Sequence, residues 1–345
     1  MRSSKKAIVS FLLVIIIVAA AFTAVFSFTE KNDYALSDEL VERLSYSGSI
    51  DFLVVGASHA EYAFVPKIID KKLDCFSYNL AQDAVLNEEK IMLLRNEMNR
   101  NPVKTVVLEM SYDTLTKNTR VKHTDAAMIF SNRLDNFGQR AENLIKYTTF
   151  NNYDYILSDS FIECMKAVAT GRKTTSYADY SDSKKGGKLR RVQPVIPDGS
   201  KKPEDLRESE IIFTPELVKE SHLDAFDKMI QLCKGKGCRV IVAVTPVSDY
   251  YIWSAYDLDA FNEWMKDYCK ERAVEYYDFN LIKERYDLFN DDESYSIDSH
   301  HMSKKGAKKF TRLFCETAKK TGSGIDVSDE FYDNYSDIIK QSPYR

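Results

Sequence analysis

Along the chain, short unbroken runs of β-branched residues alternate with stretches in which apolar side chains return every three or four positions. Asp51 to Val55 (DFLVV), Thr105 to Glu109 (TVVLE) and Arg239 to Val244 (RVIVAV) are continuous rather than alternating, as strands covered on both faces of a parallel sheet must be. Cys75 to Leu80 and Val274 to Phe279 carry weaker strand signals. Thr214 and Pro215 read as a cap and first-turn proline, followed by Phe226, Met229, Ile230 and Cys233 at helical spacing until Gly235. Asp257 opens a second helix with Leu258, Phe261, Trp264, Met265 and Tyr268 on one side. Ser303 opens a third, carrying Ala307, Phe310, Leu313, Phe314 and Ala318. Strand and helix in alternation predict a three-layer α/β/α sandwich on a mainly parallel sheet.

Two regions break this rhythm. Phe137 to Ala169 reads as helical, while about 170 to 210 is rich in Ser, Gly, Pro and charge and reads as an inserted loop. At the other extreme, Ala7 to Phe28 holds 22 residues without a charge; as a helix it would be roughly 33 Å long, enough for a bilayer core. Arg2, Lys5 and Lys6 precede it and Glu30 and Asp33 follow, which places the N-terminus in the cytoplasm and the remainder outside. The competing reading is a cleavable signal peptide, whose apolar core is ordinarily shorter. The predicted organisation is therefore a cytoplasmic tip and single-pass membrane anchor over 1–28, a linker over 29–48, an α/β/α domain over 49–325 with an insertion at about 137–212, and a tail over 326–345.

Composition adds three constraints. With 44% hydrophobic and 12% aromatic residues, the 345-residue chain supports a real core. The net charge of −4 falls to −7 without residues 1–28, which hold three basic and no acidic residues; this gives no support for a nucleic-acid partner. The six cysteines, Cys75, Cys164, Cys233, Cys238, Cys269 and Cys315, have no zinc spacing. Cys233 and Cys238 bracket a KGKG turn and are either a disulfide pair or buried thiols, the reading preferred for Cys233 and Cys269 on apolar helical faces.

The candidate chemistry lies at two places. "GASHAE", residues 56 to 61, follows the first strand at its carboxyl end, where reactive groups collect in an open parallel sheet. There Ser58 is either a nucleophile or the first residue of a capping box with Glu61. Near the C-terminus, "IDSHHMSKKG", residues 297 to 306, supplies Asp298 and His301 just before the last helix. A serine hydroxyl needs a base, and the base works best with a carboxylate to orient it. Asp298, His300, His301 and His59 are the alternative reading, a metal cluster, but metal ligands on one element usually sit two or four apart; no metal is expected.

Together, Gly56-Ala57-Ser58 and Asp298-Ser299-His300-His301-Met302-Ser303-Lys304-Lys305-Gly306 resemble the first and last blocks of the SGNH or GDSL hydrolase superfamily. That resemblance implies a flavodoxin-like fold with Ser58 as nucleophile, His301 as base and Asp298 as its orienting partner. Ala57 stands where the family has aspartate, and no G-x-N-D block follows the third strand, which runs into Glu109-Met110-Ser111-Tyr112-Asp113. Backbone N–H groups near Ala81, with Asn79 or Ser111, are the remaining oxyanion candidates. Asn79-Leu80-Ala81 and Val244-Thr245-Pro246 are similar to a membrane-anchored branch that includes the D-alanine-transfer protein of teichoic-acid modification and exopolysaccharide acetyl-transfer proteins. What this implies is an extracytoplasmic serine acyltransferase or esterase acting on ester-linked acetyl or D-alanyl groups of a cell-envelope polymer. It would need no cofactor and would work beside a membrane-bound O-acyltransferase. Tyr250 and Trp253 would then form an aromatic platform for sugar rings, with His59 and His300 lying behind the triad. Two other readings stay open: a non-catalytic binding module of the same fold, and an anchored esterase for small substrates.

Overall fold

The computed structural model describes residues 46–83, 85–116, 213–254, 258–289, 293–295 and 300–342, with scattered positions before 46 and between 130 and 189. Five parallel strands make the central sheet: β1 (Ile50–Val55), β2 (Ser77–Asn79), β3 (Val103–Glu109), β6 (Arg239–Val244) and β7 (Glu275–Asp278). Their order is β2-β1-β3-β6-β7, the 2-1-3-4-5 arrangement of flavodoxin-like sheets, whose switch point lies between β1 and β3. A separate two-residue pair, β4 (Asp179–Tyr180) with β5 (Lys188–Leu189), belongs to the inserted region, and β5 lies beside the helix that follows β1.

Ten helices are labelled in chain order: α1 (Ser58–Ala63), α2 (Pro66–Leu73), α3 (Asn87–Arg100), α4 (Tyr112–Thr116), α5 (Glu220–Gly235), α6 (Asp249–Ser254), α7 (Leu258–Glu271), α8 (Arg285–Leu288), α9 (Lys304–Gly322) and α10 (Tyr335–Gln341). The unbroken apolar strands have the explanation expected of them. Along β6, Val240 and Val242 pack with Ile91, Phe226 and Met229 of α3 and α5, whereas Ile241 and Ala243 pack with Phe64 and Phe310 of the α1–α2 connection and α9. Successive side chains of a strand point to opposite faces, so a sheet with helices on both sides needs an apolar residue at every position.

Three boundaries differ from expectation for identifiable reasons. Pro215 opens a 3₁₀ turn, Pro215–Leu217, and α5 begins only at Glu220; the N–H of Lys219 is given to the Leu115 carbonyl at 3.0 Å, which interrupts the helix. Residues 327–342, expected within a tail, pack back on the domain: Tyr335 and Ile338 are buried, and the Tyr335 hydroxyl donates to Asp278 at 2.6 Å. Lys185, within the stretch expected as an inserted loop, docks on the β2 edge. Its carbonyl accepts from Asn79 N–H at 2.9 Å, its ammonium meets Asp70 at 2.6 Å, and it lies 3.7 Å from the Phe76 ring centre.

Cys75, Cys233, Cys238, Cys269 and Cys315 are free thiols. Cys238 Sγ points at the Val103 carbonyl, and burial pushes Cys233, Cys269 and Cys315 up to about 12, so these thiols are inert core groups. Most of the expected anchor falls outside the described residues. Its described positions are helical, with Val9, Leu13, Val14, Ile16 and Ile17 exposed. Among the described residues no helix is long and apolar enough to cross a membrane.

Candidate active site

The turn after β1 is built on a close approach. A Cβ on Gly56 would lie 2.4 Å from Ala60 Cβ and 2.8 Å from Glu109 Cβ, so only glycine lets the chain leave the strand and enter α1 at this point. Ala57 is the N-cap and Ser58 the first helical residue, and no side chain caps the helix. The expected Ser58–Glu61 capping box is therefore not formed. Glu61, fully buried, instead accepts the Asp83 N–H at 3.0 Å. Ser58 is half-buried at the carboxyl end of β1, clear of cap duty.

His301 arrives from the other end of the chain. An isolated antiparallel bridge, Tyr295 to Met302, and the Ser303 N–H to the Ser294 carbonyl at 2.9 Å hold its loop. Ser303 then caps α9 by accepting the Gly306 N–H at 3.2 Å, the cap that the sequence indicates. His301 is 6% exposed and packs on α1, with ring centroids 5.1 Å from Tyr62 and 5.2 Å from His59. Thr311 locks the two helices together: its hydroxyl accepts the Val65 N–H at 3.1 Å and has its one proton between the Ala63 carbonyl at 2.9 Å and the Ala307 carbonyl at 2.7 Å. Thr311→Val should leave the buried Val65 N–H unpaired and cost about 1–3 kcal/mol, read as a lowered urea midpoint at unchanged slope.

Beneath the turn lies a buried charge system with no counterpart in the expected site. Glu109, at the end of β3 and fully buried, stands 3.8 Å from His59 Nδ1. Burial pushes its carboxyl up, opposed by Lys90 and by the N–H groups of Ala57 and Ser111. Lys90 is likewise buried, donates to Asn87 at 2.9 Å, and is brought down to about 8 by that burial.

The expected oxyanion residues have other tasks. Asn79 is fully buried; its amide donates to the Ala60 and Phe64 carbonyls at 3.0 and 3.1 Å, and its oxygen accepts the Ala81 N–H at 3.0 Å. These bonds tie β2 to the end of α1 and engage the Asn79 side chain and the Ala81 N–H. Ser111 shares a hydrogen bond with Thr114 at 2.9 Å. The N–H of Ser58 itself lies in the first turn of α1, where a helix supplies no internal acceptor.

Over the same end of the sheet, α6 is held by buried Arg285, which donates to Asp249 at 2.9 Å and to the Val247 carbonyl. Tyr250 is half-buried against the α9 side of the core. Its neighbour Tyr251 faces the site, 5.6 Å from the His300 ring centre and with its hydroxyl on Asp113 at 2.8 Å. Sequence reasoning placed this aromatic segment but not which tyrosine turns inward, since neighbouring helical positions differ by about 100°. Trp253 belongs to α6, but its side chain, like the whole of Asp298, lies outside the described residues.

His59, His300 and His301 come together: one nitrogen from each lies within 4.8 Å of the other two. Spacing along the chain argued against such a cluster, but His59 comes from the first strand–helix turn, so spacing within one element does not govern it. A cavity of about 470 Å³ lies at the β7 edge between Tyr276, Tyr277 and the segment Gly324 to Asp333, and shares no lining residue with this site.

No protein-family model and no curated protein matches the chain. Among solved structures, a putative acylhydrolase from Bacteroides fragilis matches at 10% identity and a TM-score of 0.39, over 81% of this chain and 93% of that one. A putative lipolytic protein of the G-D-S-L family from Desulfitobacterium hafniense matches at 12% identity and 0.35, over 77% and 98%. A GDSL-like lipase from Bacteroides thetaiotaomicron matches at 9% identity and 0.37, over 83% and 98%.

Proposed function

We propose that this chain is an SGNH-type serine esterase or acyltransferase with Ser58 as nucleophile and His301 as its base. One observation carries the reading: a half-buried serine, clear of cap duty at the carboxyl end of β1, opens the helix on which His301 packs. In the first half-reaction the Ser58 oxygen bonds to an ester carbonyl while His301 takes the hydroxyl proton. The tetrahedral oxyanion faces the first-turn N–H groups of α1. Its collapse breaks the bond to the leaving alcohol, to which His301 returns the proton. Water or a second hydroxyl then attacks the acyl-serine, with His301 again moving the proton. Asp298, three residues before His301, is the proposed orienting carboxylate.

The proposed setting is the outer face of a membrane, with residues 7–28 as anchor. Support comes from the uncharged run itself and from the exposure of its described apolar side chains. The proposed substrates are acetyl or D-alanyl esters on a cell-envelope polymer, with a membrane-bound acyltransferase as donor partner; Tyr251, tilted against His300, offers an aromatic face for a sugar ring.

The test is fluorophosphonate labelling of the full chain in detergent, read by intact mass. One adduct on the native protein, absent from Ser58→Ala and from His301→Ala, supports the serine mechanism. The absence of any adduct on folded native protein overturns it in favour of a binding module, the reading that the engagement of Asn79 and Ala81 favours.

A further inference from the structure

We infer that His59, His300 and His301 form a binding site for a borderline divalent transition metal of the Zn²⁺ class, and that an occupied site withholds His301 from Ser58. The cluster is assembled from two distant parts of the chain. Its ring centroids lie 4.2 Å apart for His300 and His301, 5.2 Å for His59 and His301, and 5.6 Å for His59 and His300. Three imidazoles, two of them buried, suit zinc, copper or nickel and disfavour the oxygen-seeking magnesium and calcium. Tetrahedral zinc with bonds of about 2.1 Å sets its nitrogens about 3.4 Å apart. Each nitrogen pair here lies within 4.8 Å, at most about 1.4 Å wider than that spacing.

A second feature has the form of a metal centre. Glu109, fully buried behind the cluster, stands 3.8 Å from His59 Nδ1. A carboxylate behind a ligating histidine fixes the ring and raises its basicity, and is a regular partner of histidine metal ligands. The three histidines contribute no charge when neutral, and Glu109 is the carboxyl group that stands behind them, with Lys90 on its other side. His300 is only partly buried, which leaves the cluster an open side for entry and for a water ligand.

Metal binding stands on this geometry alone; its effect on Ser58 rests on the esterase reading. A lone pair given to a metal cannot accept the serine proton, so the occupied site is inactive towards acyl groups.

The test is calorimetric titration of tag-free, chelator-treated full-length chain with ZnCl₂, followed by visible absorption of the Co²⁺ form. One ion per chain is expected, bound about tenfold or more weakly by His300→Ala and His59→Ala. Glu109→Gln, which keeps all three ligands, should weaken it by about ten- to a hundredfold. His300→Ala is the discriminating variant because a half-exposed side chain can be removed without unfolding; its thermal midpoint serves as the control. Failure to bind Zn²⁺, or binding unchanged in both histidine variants, overturns the site. Fluorophosphonate labelling with and without Zn²⁺ tests the coupling: Zn²⁺ should slow the adduct more than tenfold on native protein, with recovery on chelation. An adduct that forms at full rate with Zn²⁺ bound overturns the coupling and leaves the esterase intact. The absence of an adduct in chelated protein overturns the esterase, while the titration still decides the site.

Discussion

In a His301→Ala chain, kcat/KM for a simple activated ester such as p-nitrophenyl acetate should fall by about 10²- to 10⁴-fold, the usual contribution of a positioned general base. His301 reaches the site on a loop held at both ends, by the Tyr295–Met302 bridge and by the Ser303 cap, so the remaining loop should keep its place. The thermal midpoint is then expected to move little. Ser58→Ala should cost at least as much, and the double variant no more than the worse single one, because nucleophile and base act as a unit. Imidazole added to the buffer should restore part of the His301→Ala rate and none of the Ser58→Ala rate. Additive losses, or a His301→Ala chain that turns over normally, would contradict the assigned roles.

The second large effect is expected at a residue with no chemistry. In Gly306→Ala the new Cβ would sit 1.9 Å from the Ser294 carbonyl oxygen and 2.8 Å from its carbon. The obstacle is backbone, so no rotamer change relieves it. Either α9 or the 293–303 loop must move, and that loop carries His300 and His301. A loss of about 3 kcal/mol or more is expected, at or beyond the upper end of ordinary overpacking, measured by urea unfolding, together with loss of serine reactivity in whatever remains folded. Gly235→Ala is the matched control. Its Cβ would meet nothing within 4 Å, and it should be neutral or stabilise by up to about 1 kcal/mol. If the two variants behave alike, helix propensity and not the contact with Ser294 governs position 306.

These two residues illustrate how unevenly the site was legible. Ser58 and His301, the proposed nucleophile and base, stood out because those roles need particular residue types, next to a strand end and a helix start that periodicity locates. Gly306 belonged to the same recognisable block, but its reason, a backbone passing against Ser294, is a distance and leaves no trace in composition. Glu109 and Lys90 were invisible for a related cause. A carboxylate ending β3 reads as the polar edge of a strand until the Gly56 turn is seen to cover it. Asn79 shows the same limit from the other side: its place after the second strand made it an oxyanion candidate, and only the structure shows its amide bonded to three backbone partners joining β2 to α1.

What the sequence determined by itself was the layer order. Continuous β-branched runs require cover on both faces, and amphipathic helices between them provide it, so local pattern and global fold agree wherever one residue's neighbours along the chain decide its burial. What only the tertiary structure decided was convergence. Thr311 clamping α1, Tyr251 rather than Tyr250 turning to His300, and His59 meeting two histidines from the far end of the chain all depend on how elements distant in sequence pack. Spacing along one element constrains which side chains share a face; it carries no information on which faces meet, and the chemistry of this site lies where they do.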